Sequence, residues 1–366
     1  MKDNIYYIAE FNLPNSSAYA LQVLKMCDAF KKKGYNTSLL LPYNKSNYSK
    51  IKRDYLLKEK IKIISFYKTE KSFNFLSRIL YSYNIFRFLN NKNDKIKLII
   101  SRSIVASIFL CIFNIKNTLE IHHELSGITK LFFLFLKIHY FKKNVNFVFI
   151  HKNLRKKVYN NHIPSIILDD ATDLMDFKNI KLKMIKNACA YTGSLYKGKG
   201  LELIIKIAKL LNSVNFYVYG DLKTLKKEQI DNKLPKNIKL EGKVSYSQIP
   251  KILSKFQILL MPYQKQVNVR HKNLNVAIYM SPLKMFDYLA AGKIIIASNI
   301  SNYKHILKNN YNCFLCNPEN QLEWSKKINY IFKKRNNLKY IKKNSLKTAR
   351  NYSWDLRVEK LIKFVN

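Results

Sequence analysis

The chain has 366 residues, of which 48% are hydrophobic, so it is long enough for two globular domains that each bury a core. Its 66 lysines and arginines against 23 acidic residues give a formal net charge of +43. The apolar content excludes a disordered polycation, and five cysteines in a chain of this length exclude a disulfide framework and fit a reducing cytoplasm.

Hydrophobic segments of the chain are short. The run from Ser103 to Phe113 is well below the roughly 18–20 apolar residues that a membrane-spanning helix needs. The N-terminus, Met-Lys-Asp-Asn, lacks the charged and then apolar arrangement of a signal peptide. We therefore expect a cytoplasmic protein that does not cross the membrane.

Strand and helix signals alternate along the first half of the chain. An amphipathic stretch from Ala18 to Lys33 ends before Gly34 and predicts a helix. Short apolar runs predict strands at Ile5 to Ala9, Ser38 to Leu41, Ile61 to Ser65, Leu98 to Ser101, Thr118 to Ile121, Phe147 to Ile150 and Ser165 to Leu168. Such alternation favours a parallel sheet with helices on both faces.

The excess of lysine implies attraction for polyanions. The lysines are spread over the whole chain with many asparagines and isoleucines, which is typical of an AT-rich coding sequence and accounts for much of the charge. No known nucleic-acid-binding signature is present, so nucleic acid is not an expected partner. Segment 127–143 is apolar and aromatic with lysines at its ends. It predicts either an interfacial helix on an anionic membrane surface or a buried helix on the N-terminal sheet.

The most informative segment runs from Tyr191 to Gly200. Three of the eight glycines, Gly193, Gly198 and Gly200, fall inside it. An apolar run precedes the segment and an amphipathic stretch follows it, which predicts a strand, a tight loop and a helix. Glycines let backbone N–H groups approach an anion closely, and a helix N-terminus favours phosphate. Lys199 adds a positive charge at the same place.

A second helix start is predicted at Ser281. We expect Ser281 at the N-cap, Pro282 at the first helical position and Gly292 just past the end, with a strand following at once. Asp287 lies five residues after Pro282, about 7.5 Å along the helix axis. That offset suits a nucleotide with its diphosphate at the helix start and its ribose hydroxyls at the carboxylate. The alternative is a helix that only packs, with Asp287 solvated.

Together these segments resemble glycosyltransferase family 4, the SPLK-type glycosyl transferases group 1. Residues 193–200, GSLYKGKG, are similar to the family pattern G-[RS]-L-x-x-x-K-G, and residues 281–293, SPLKMFDYLAAGK, are similar to S-P-L-K-x-F-E-Y-M-A-A-G-K. The resemblance implies an α/β GT-B fold, in which two doubly wound Rossmann-like domains face each other across a cleft. We expect an N-terminal acceptor-side domain over residues 1–168 with a C-terminal crossover helix over 353–366. Residues 169–352 are then the nucleotide-sugar-binding domain.

Breaking a bond between a sugar and a nucleoside diphosphate builds negative charge on the leaving oxygens, which fixed donors stabilise. The expected donors are Lys199, backbone amides around Gly193 and Ser194, and the amides of Leu283 and Lys284 at the second helix start. Side-chain cations and helix ends make a metal unnecessary, and no DxD motif stands near these loops. We therefore expect no metal and no cofactor.

The chain departs from the family pattern at two places. Many relatives carry an arginine where this chain has Ser194, so one cation is missing, and Lys197 or Lys284 is expected to replace it. The family has two glutamates eight positions apart, and here Tyr279 stands at the first position and Asp287 at the second. The resemblance still implies that Asp287 binds ribose hydroxyls, while the role of the first position is open.

On the acceptor side, Leu119-Glu-Ile-His-His-Glu-Leu125 resembles the family's E-x-H-[DE] strand end. The resemblance implies that His122 hydrogen-bonds the donor sugar or orients the nucleophile. A histidine at a strand end is otherwise often a satisfied surface group. Ser16 and Ser17 follow the first strand, where relatives carry glycines near the donor phosphate or the acceptor, and their hydroxyls are weaker candidates for that role.

The expected function is transfer of a sugar from a UDP- or GDP-sugar to a glycan or lipid-linked acceptor in cell-surface polysaccharide or glycoconjugate synthesis. Retention of configuration is implied by the resemblance alone. We expect the protein at the cytoplasmic face, peripheral on the inner face of the plasma membrane. Two alternatives stay open: a GT-B-fold UDP-sugar epimerase, and a basic membrane- or polyanion-binding protein with a decayed donor site.

Overall fold

A computed structural model describes residues 3–70, 72, 74–92, 95–125, 127, 130–131, 144–158, 163–225, 234–267 and 275–366. Most of the segment predicted as an interfacial or buried helix, 127–143, lies outside these residues. The chain divides into two compact units, one of residues 1–169 with 354–366 and one of residues 170–353. Each division falls one residue from the boundary expected from the sequence.

The first unit holds nine strands and six helices among the described residues. Its strands are β1 (Asn4–Ile8), β2 (Asn12–Leu13), β3 (Asn36–Leu41), β4 (Tyr43–Asn44), β5 (Lys62–Ser65), β6 (Ile96–Ser101), β7 (Asn117–Ile121), β8 (Val145–Phe149) and β9 (Ser165–Ile167). Its helices are α1 (Ala18–Lys32), α2 (Tyr48–Asp54), α3 (Phe75–Asn90), α4 (Ile104–Ile112), α5 (Lys152–Val158) and, at the end of the chain, α11 (Trp354–Val365).

Seven of these strands form one parallel sheet in the order β5-β3-β1-β6-β7-β8-β9. The order reverses direction at β1, and because parallel crossovers are right-handed, the connections on either side of β1 place helices on opposite faces. Strands β7 and β8 are buried along their whole length, so the polar residues of β7, Asn117, Thr118 and Glu120, are buried as well. Helix α11 packs against α1 within this unit.

The second unit has strands β10 (Ala188–Thr192), β11 (Asn215–Tyr219), β12 (Ile238–Gly242), β13 (Ile258–Met261), β14 (Ile294–Ser298) and β15 (Phe314–Cys316). Its helices are α6 (Leu201–Leu210), α7 (Ile249–Ser254), α8 (Leu283–Ala290), α9 (Gln321–Lys333) and α10 (Lys339–Arg350). Short 3₁₀ turns lie at Leu174–Phe177, Leu222–Thr224, Tyr246–Gln248, Val276–Ile278, Ser301–Tyr303 and Arg335–Leu338.

The sheet of the second unit is again parallel, in the order β12-β11-β10-β13-β14-β15, with the reversal at β10. Its core is built from the apolar faces of these strands together with helices α6 and α9, and it includes the fully buried Trp324. Cys313 and Cys316 are both buried thiols in or beside β15, so the CxxC spacing reflects packing. Two doubly wound α/β units, the expected fold class, are therefore observed.

Among the described residues, no helix is both long enough and apolar enough to span a bilayer.

Candidate functional site

The reversal point of the second sheet carries the glycine-rich loop. Strand β10 ends at Thr192, and Gly193 follows with φ 136°, a conformation that favours glycine. A Cβ atom at Gly193 would lie 2.5 Å from Lys284 Nζ, so the lack of a side chain makes room for that lysine. The Gly193 N–H donates to the Tyr219 carbonyl at 2.9 Å. The expectation that this amide faces a ligand is therefore corrected, because the sheet already uses its hydrogen.

Helix α6 begins directly after the loop. Gly200 is its N-cap residue, with φ 105°, and a Cβ atom there would lie 2.2 Å from the Pro262 carbonyl oxygen. Gly198 is equally constrained, since its Cβ would lie 2.0 Å from the Gln266 carbonyl oxygen. The backbone of this loop thus packs closely against the segment that follows β13, and no other residue type fits at these two positions.

Helix α8 supplies the second helix start. Its first residue is Leu283, and Pro282 is the N-cap residue. This corrects the expected positions of Ser281 and Pro282 by one residue. The Ser281 hydroxyl oxygen accepts the Asp170 N–H at 3.0 Å, so it caps a different part of the backbone. The amides of Leu283 and Lys284 remain in the first turn, where N–H groups have no partner within the helix.

Tyr288 ties helix α8 to strand β10. Its hydroxyl oxygen accepts the buried Thr192 N–H at 2.8 Å, and the Thr192 hydroxyl lies 3.2 Å away. Lys284 lies four residues before Tyr288, hence on the same face of the helix one turn towards its start. This attachment places the Lys284 side chain over the end of β10, beside Gly193.

The Lys284 and Lys199 ammonium groups share an aromatic surface. Lys284 Nζ lies 3.7 Å from the centroid of the Tyr191 ring and 5.1 Å from that of Tyr263. Lys199 Nζ lies 5.1 Å from the same Tyr263 ring. Ring faces attract cations, which explains how two positive side chains are held together. Tyr191 is itself fixed, because its hydroxyl donates to the Ser194 carbonyl at 2.7 Å.

No carboxylate of the described part of the chain acts on either lysine. Lys284 Nζ is buried and makes no hydrogen bond there. Burial, and then the charge of Lys199, hold the pKa of Lys284 well below its usual range. Burial lowers the pKa of Lys199 to about 8. Two uncompensated amines at two helix starts form a site suited to an anion with more than one charged group.

Lys197, the other candidate for the missing cation, does not belong to this cluster. Its side chain is exposed and lines a cavity of about 420 Å³ with Gly198, Glu202 and Gln264, on another side of the loop. The structure therefore places Lys284, and not Lys197, beside Gly193, the residue that precedes Ser194.

Asp287 and Tyr279 both lie inside the unit. Asp287 Oδ1 accepts the Thr172 hydroxyl at 2.9 Å and the Tyr246 hydroxyl at 3.2 Å, and only 6% of the residue is exposed. Its predicted binding of ribose hydroxyls stays a prediction. Tyr279, at the position of the family's first glutamate, is fully buried, so a core side chain replaces the carboxylate there.

The first unit places His122 at the carboxyl end of β7, against the buried Glu120. His122 Nε2 lies 2.7 Å from Glu120 Oε1. Arg357 Nη2 and Gln22 Nε2 donate to the same oxygen, both at 2.8 Å, and the Tyr7 hydroxyl donates to Oε2 at 2.7 Å. Burial, and then the charge of Arg102, lower the pKa of His122 to about 3. The imidazole is therefore neutral near pH 7.

Ser16 and Ser17 lie exposed before α1. The Ser17 hydroxyl oxygen accepts the Ala20 N–H at 3.2 Å and caps the helix, which is a structural role. Ser16 is exposed, and no contact with the described residues assigns it a role. Their predicted role near phosphate or acceptor remains untested.

The sequence of the second unit matches a known family. Residues 175–348 match the model for glycosyl transferases group 1. No curated protein sequence matches the chain.

Solved structures with the same fold cover nearly the whole chain. A glycosyltransferase from Rickettsia africae is 16% identical, with a TM-score of 0.73 over 100% of this chain and 98% of that one. HepE from Anabaena, solved with UDP and glucose, is 11% identical, with a TM-score of 0.72 and 98% of each chain covered. A TarM variant from S. aureus, solved with fondaparinux, α-GlcNAc-glycerol and UDP, is 13% identical, with a TM-score of 0.70 and 100% of each chain covered. The likeness shows that the chain has the GT-B fold.

Several residues around the Lys199–Lys284 pair and around Glu120 were not predicted as site residues. Tyr191, Tyr263 and Tyr288 read as core aromatics, and no sequence signal marks the rings that face an amine. Glu120 lies within the quoted E-x-H-[DE] pattern, so that pattern was the available signal. Arg357 is 237 residues away from Glu120 in sequence, and only the fold brings them together.

Proposed function

We propose that this protein is a glycosyltransferase that moves a sugar from a nucleoside-diphosphate sugar to a glycan or lipid-linked acceptor. The observation that carries the proposal is the pair of amines, Lys199 and Lys284, around the Tyr263 ring with no carboxylate partner in the described residues. A diphosphate supplies the two negative groups that this pair lacks. The match to the group 1 model over residues 175–348 supports the same activity.

The chemistry follows from charge. As the bond to the sugar breaks, negative charge grows on the diphosphate oxygens, and preformed cations in a partly buried site stabilise that charge more than water does. Lys284 takes the place of the arginine that relatives carry where this chain has Ser194. Since two amines and two helix starts supply the charge, we propose transfer without a metal ion, with activity unchanged after exhaustive chelation. Retention of configuration is proposed on the family resemblance alone.

UDP is the preferred nucleotide in this proposal. HepE from Anabaena and TarM from S. aureus were both solved with UDP, which favours a UDP-sugar over a GDP-sugar. The acceptor, a glycan or a lipid-linked glycan of the cell surface, is proposed on the family resemblance alone.

The activity is tested by incubating the protein with a panel of UDP- and GDP-sugars, with and without glycan and lipid-linked acceptors, and measuring nucleotide release. Release that depends on an acceptor, with the sugar appearing on it, is the expected result. Release of nucleotide with an epimerised free sugar and no need for acceptor would indicate an epimerase. Absence of binding to every sugar nucleotide would contradict both and leave a basic binding protein.

We also propose that the protein works at an anionic membrane surface. Among the described residues, helices α3 and α4 form an exposed apolar surface that includes Leu76, Leu80, Tyr83 and Phe113. It is continuous, because the ring of Phe109 lies 6.4 Å from that of Tyr83 and 5.1 Å from that of Phe113. Two basic side chains lie on aromatic rings of α3 beside this surface, Arg87 over Tyr83 and Lys92 over Phe88, which complements anionic lipid.

Flotation with vesicles tests this location. Vesicles of anionic phospholipid should carry the protein up the gradient, neutral ones should not, and binding should fade over tens to hundreds of millimolar salt. The variant Leu80→Ser/Tyr83→Ser should lose binding. The matched variant Leu322→Ser/Tyr330→Ser removes two equally exposed apolar residues from α9 and should keep it. Equal flotation of the two variants would contradict the proposal, as would self-association through the same surface.

A further inference from the structure

The buried carboxylate of Glu120 has an unusual number of donors. Its Oε1 faces His122 Nε2 at 2.7 Å, Gln22 Nε2 at 2.8 Å and Arg357 Nη2 at 2.8 Å, while Oε2 accepts the Tyr7 hydroxyl. Every one of these partners lies in the first unit. Although burial opposes ionisation, the charge of Arg357 and the bond from His122 hold the pKa of Glu120 well below its usual range. The carboxylate is ionised and can only accept hydrogen bonds.

Arg357 neutralises this carboxylate and is itself held by the backbone. It extends from α11, and its Nε donates to the Asp169 carbonyl at 2.9 Å. The side chain is nearly fully buried, as is that of Glu120. A buried ion pair of this kind requires close geometry, since each unpaired charge would be costly. The last helix of the chain thus fixes the position of Glu120 under the end of β7.

The tautomer of His122 follows from this arrangement. A neutral imidazole carries one hydrogen, and the oxygen 2.7 Å from Nε2 cannot donate one. The hydrogen is therefore on Nε2, and the lone pair is on Nδ1. His122 shares a strand face with Glu120, two residues earlier, so the ring cannot turn away without giving up this bond.

We propose that Glu120, held by Arg357, is a positioning residue that fixes His122 in the tautomer whose Nδ1 accepts a hydrogen bond from a substrate hydroxyl. His122 Nδ1 then accepts a hydrogen bond from a sugar hydroxyl, and His122 does not act as a proton donor. This inference rests on the proposed transfer of a sugar, but the tautomer itself does not. A surface histidine without such a carboxylate would exchange between both tautomers. It would then have no fixed nitrogen that accepts a hydrogen bond from the substrate.

Nitrogen-15 spectra of the imidazole groups test the tautomer in the full-length protein. The His122 signals are assigned by their loss in His122→Asn. In the wild type, Nε2 should show a bound hydrogen and Nδ1 should not. In Glu120→Leu, which offers no acceptor to Nε2, the preference should be lost and the hydrogen should be shared between the two nitrogens; Glu120→Gln should keep the wild-type tautomer, because Arg357 and Gln22 hold its amide oxygen at the position of Oε1. Tyr7→Phe removes another donor to the same carboxylate and should leave the tautomer unchanged. A wild type with the hydrogen on Nδ1 would overturn the inference.

Activity then tests the role. Glu120→Leu should lower kcat by about 10- to 100-fold, the effect of losing one aligned hydrogen bond, while UDP protection in a thermal melt stays at the wild-type value. Tyr7→Phe should stay within about threefold. Wild-type kcat in a Glu120→Leu protein whose tautomer preference is lost would overturn the positioning role. The observed wild-type tautomer together with no sugar transfer would instead contradict the proposed function.

A second pair of variants serves if Glu120→Leu does not fold. His122→Asn keeps a polar atom near the position of Nδ1, whereas His122→Gln places its amide near the position of Nε2. If Nδ1 binds the substrate, His122→Asn should retain at least about tenfold more kcat than His122→Gln. The reverse order would contradict the inference.

Discussion

Lys284 combines a buried amine, a tyrosine ring 3.7 Å away and no hydrogen-bond partner in the described residues. Burial and the neighbouring Lys199 lower its pKa, so the ammonium form of Lys284 is disfavoured while the site holds no anion. A diphosphate reverses the effect, because an adjacent negative charge favours the ammonium form. The affinity of this site for an anion is therefore coupled to a proton.

Nucleotide binding near pH 8 should take up protons, because the pKa of Lys199 is lowered to about 8 and that of Lys284 is lowered as well. Titration calorimetry with UDP in two buffers of different ionisation enthalpy that do not compete for an anion site, HEPES and Tris, should give different observed enthalpies for the wild type. Lys199→Arg/Lys284→Arg keeps both positive charges but does not titrate, so its buffer dependence should be much smaller. Equal enthalpies of the wild type in the two buffers would contradict this account of the two lysines.

Lys199 should contribute more to the chemical step than to nucleotide binding. Lys199→Ala should lower kcat by about 10²- to 10³-fold, with a smaller loss of UDP affinity, because the charge it faces grows as the bond breaks. The exposed Lys197, two residues earlier, is the matched control, and Lys197→Ala should keep wild-type turnover. Unchanged turnover of Lys199→Ala would remove this residue from the mechanism.

The pH dependence has a defined direction. The pKa of Lys199 is lowered to about 8, so its charge is present below that pH and is lost as pH rises through it. We expect kcat/KM to fall above about pH 8. His122, with its pKa at about 3, should add no inflection between pH 5 and 8. A rise in kcat/KM through pH 8, measured at constant ionic strength, would contradict the role of the Lys199 charge.

At the scale of secondary-structure elements, the site depends on how α8 sits on β10. Tyr288 makes that connection through the buried Thr192 N–H, and Lys284 is carried on the next turn of the same helix. The sequence predicted α8 and its strand because the capping residues and the apolar run are local signals. It could not choose between Lys197 and Lys284, because that choice depends on the rotation of α8, which a contact across 96 residues fixes.

Tyr288→Phe should weaken both the fold and the site. The change leaves the buried Thr192 N–H without an acceptor, at a cost of about 1–3 kcal/mol in the free energy of unfolding. It should also reduce UDP protection in a thermal melt, because Lys284 loses its support. Tyr303→Phe removes another buried tyrosine hydroxyl, the one that donates to the Ser298 carbonyl at 2.7 Å. This control should lower stability and keep UDP binding, and equal UDP binding by both variants would contradict the role of Tyr288.

The one-residue error at the start of α8 has a clear cause. A serine before proline is a strong N-cap pattern, but the Ser281 hydroxyl is occupied by the Asp170 N–H, more than a hundred residues away in sequence. The long-range hydrogen bond therefore outweighs the local preference of serine for the N-cap position. The same reason explains why Glu120 and Arg357 could not be paired from the sequence, since both are ordinary charged residues until the fold buries them together.

At the scale of the whole molecule, alternating strands and helices predicted the parallel sheets, and the family resemblance implied the two-domain GT-B fold. Strands such as Ile294–Ser298 are buried on both faces, so their sequence is a plain apolar run that is easy to recognise. The two units each have a reversal in strand order, and in the second unit the glycine loop lies at that reversal. Ligands of open α/β sheets bind at such points, which is why two short motifs sufficed to locate the candidate site.

The central claim is that Lys199 and Lys284 bind a diphosphate, and its most direct test compares nucleotide with nucleoside. Binding of UDP and uridine, and of GDP and guanosine, is measured by calorimetry for the wild type and for Lys199→Gln/Lys284→Gln. The account predicts that wild type binds one diphosphate far more tightly than its nucleoside, and that the double variant binds both equally weakly. If the double variant keeps the wild-type preference for the diphosphate, the two lysines do not form the site.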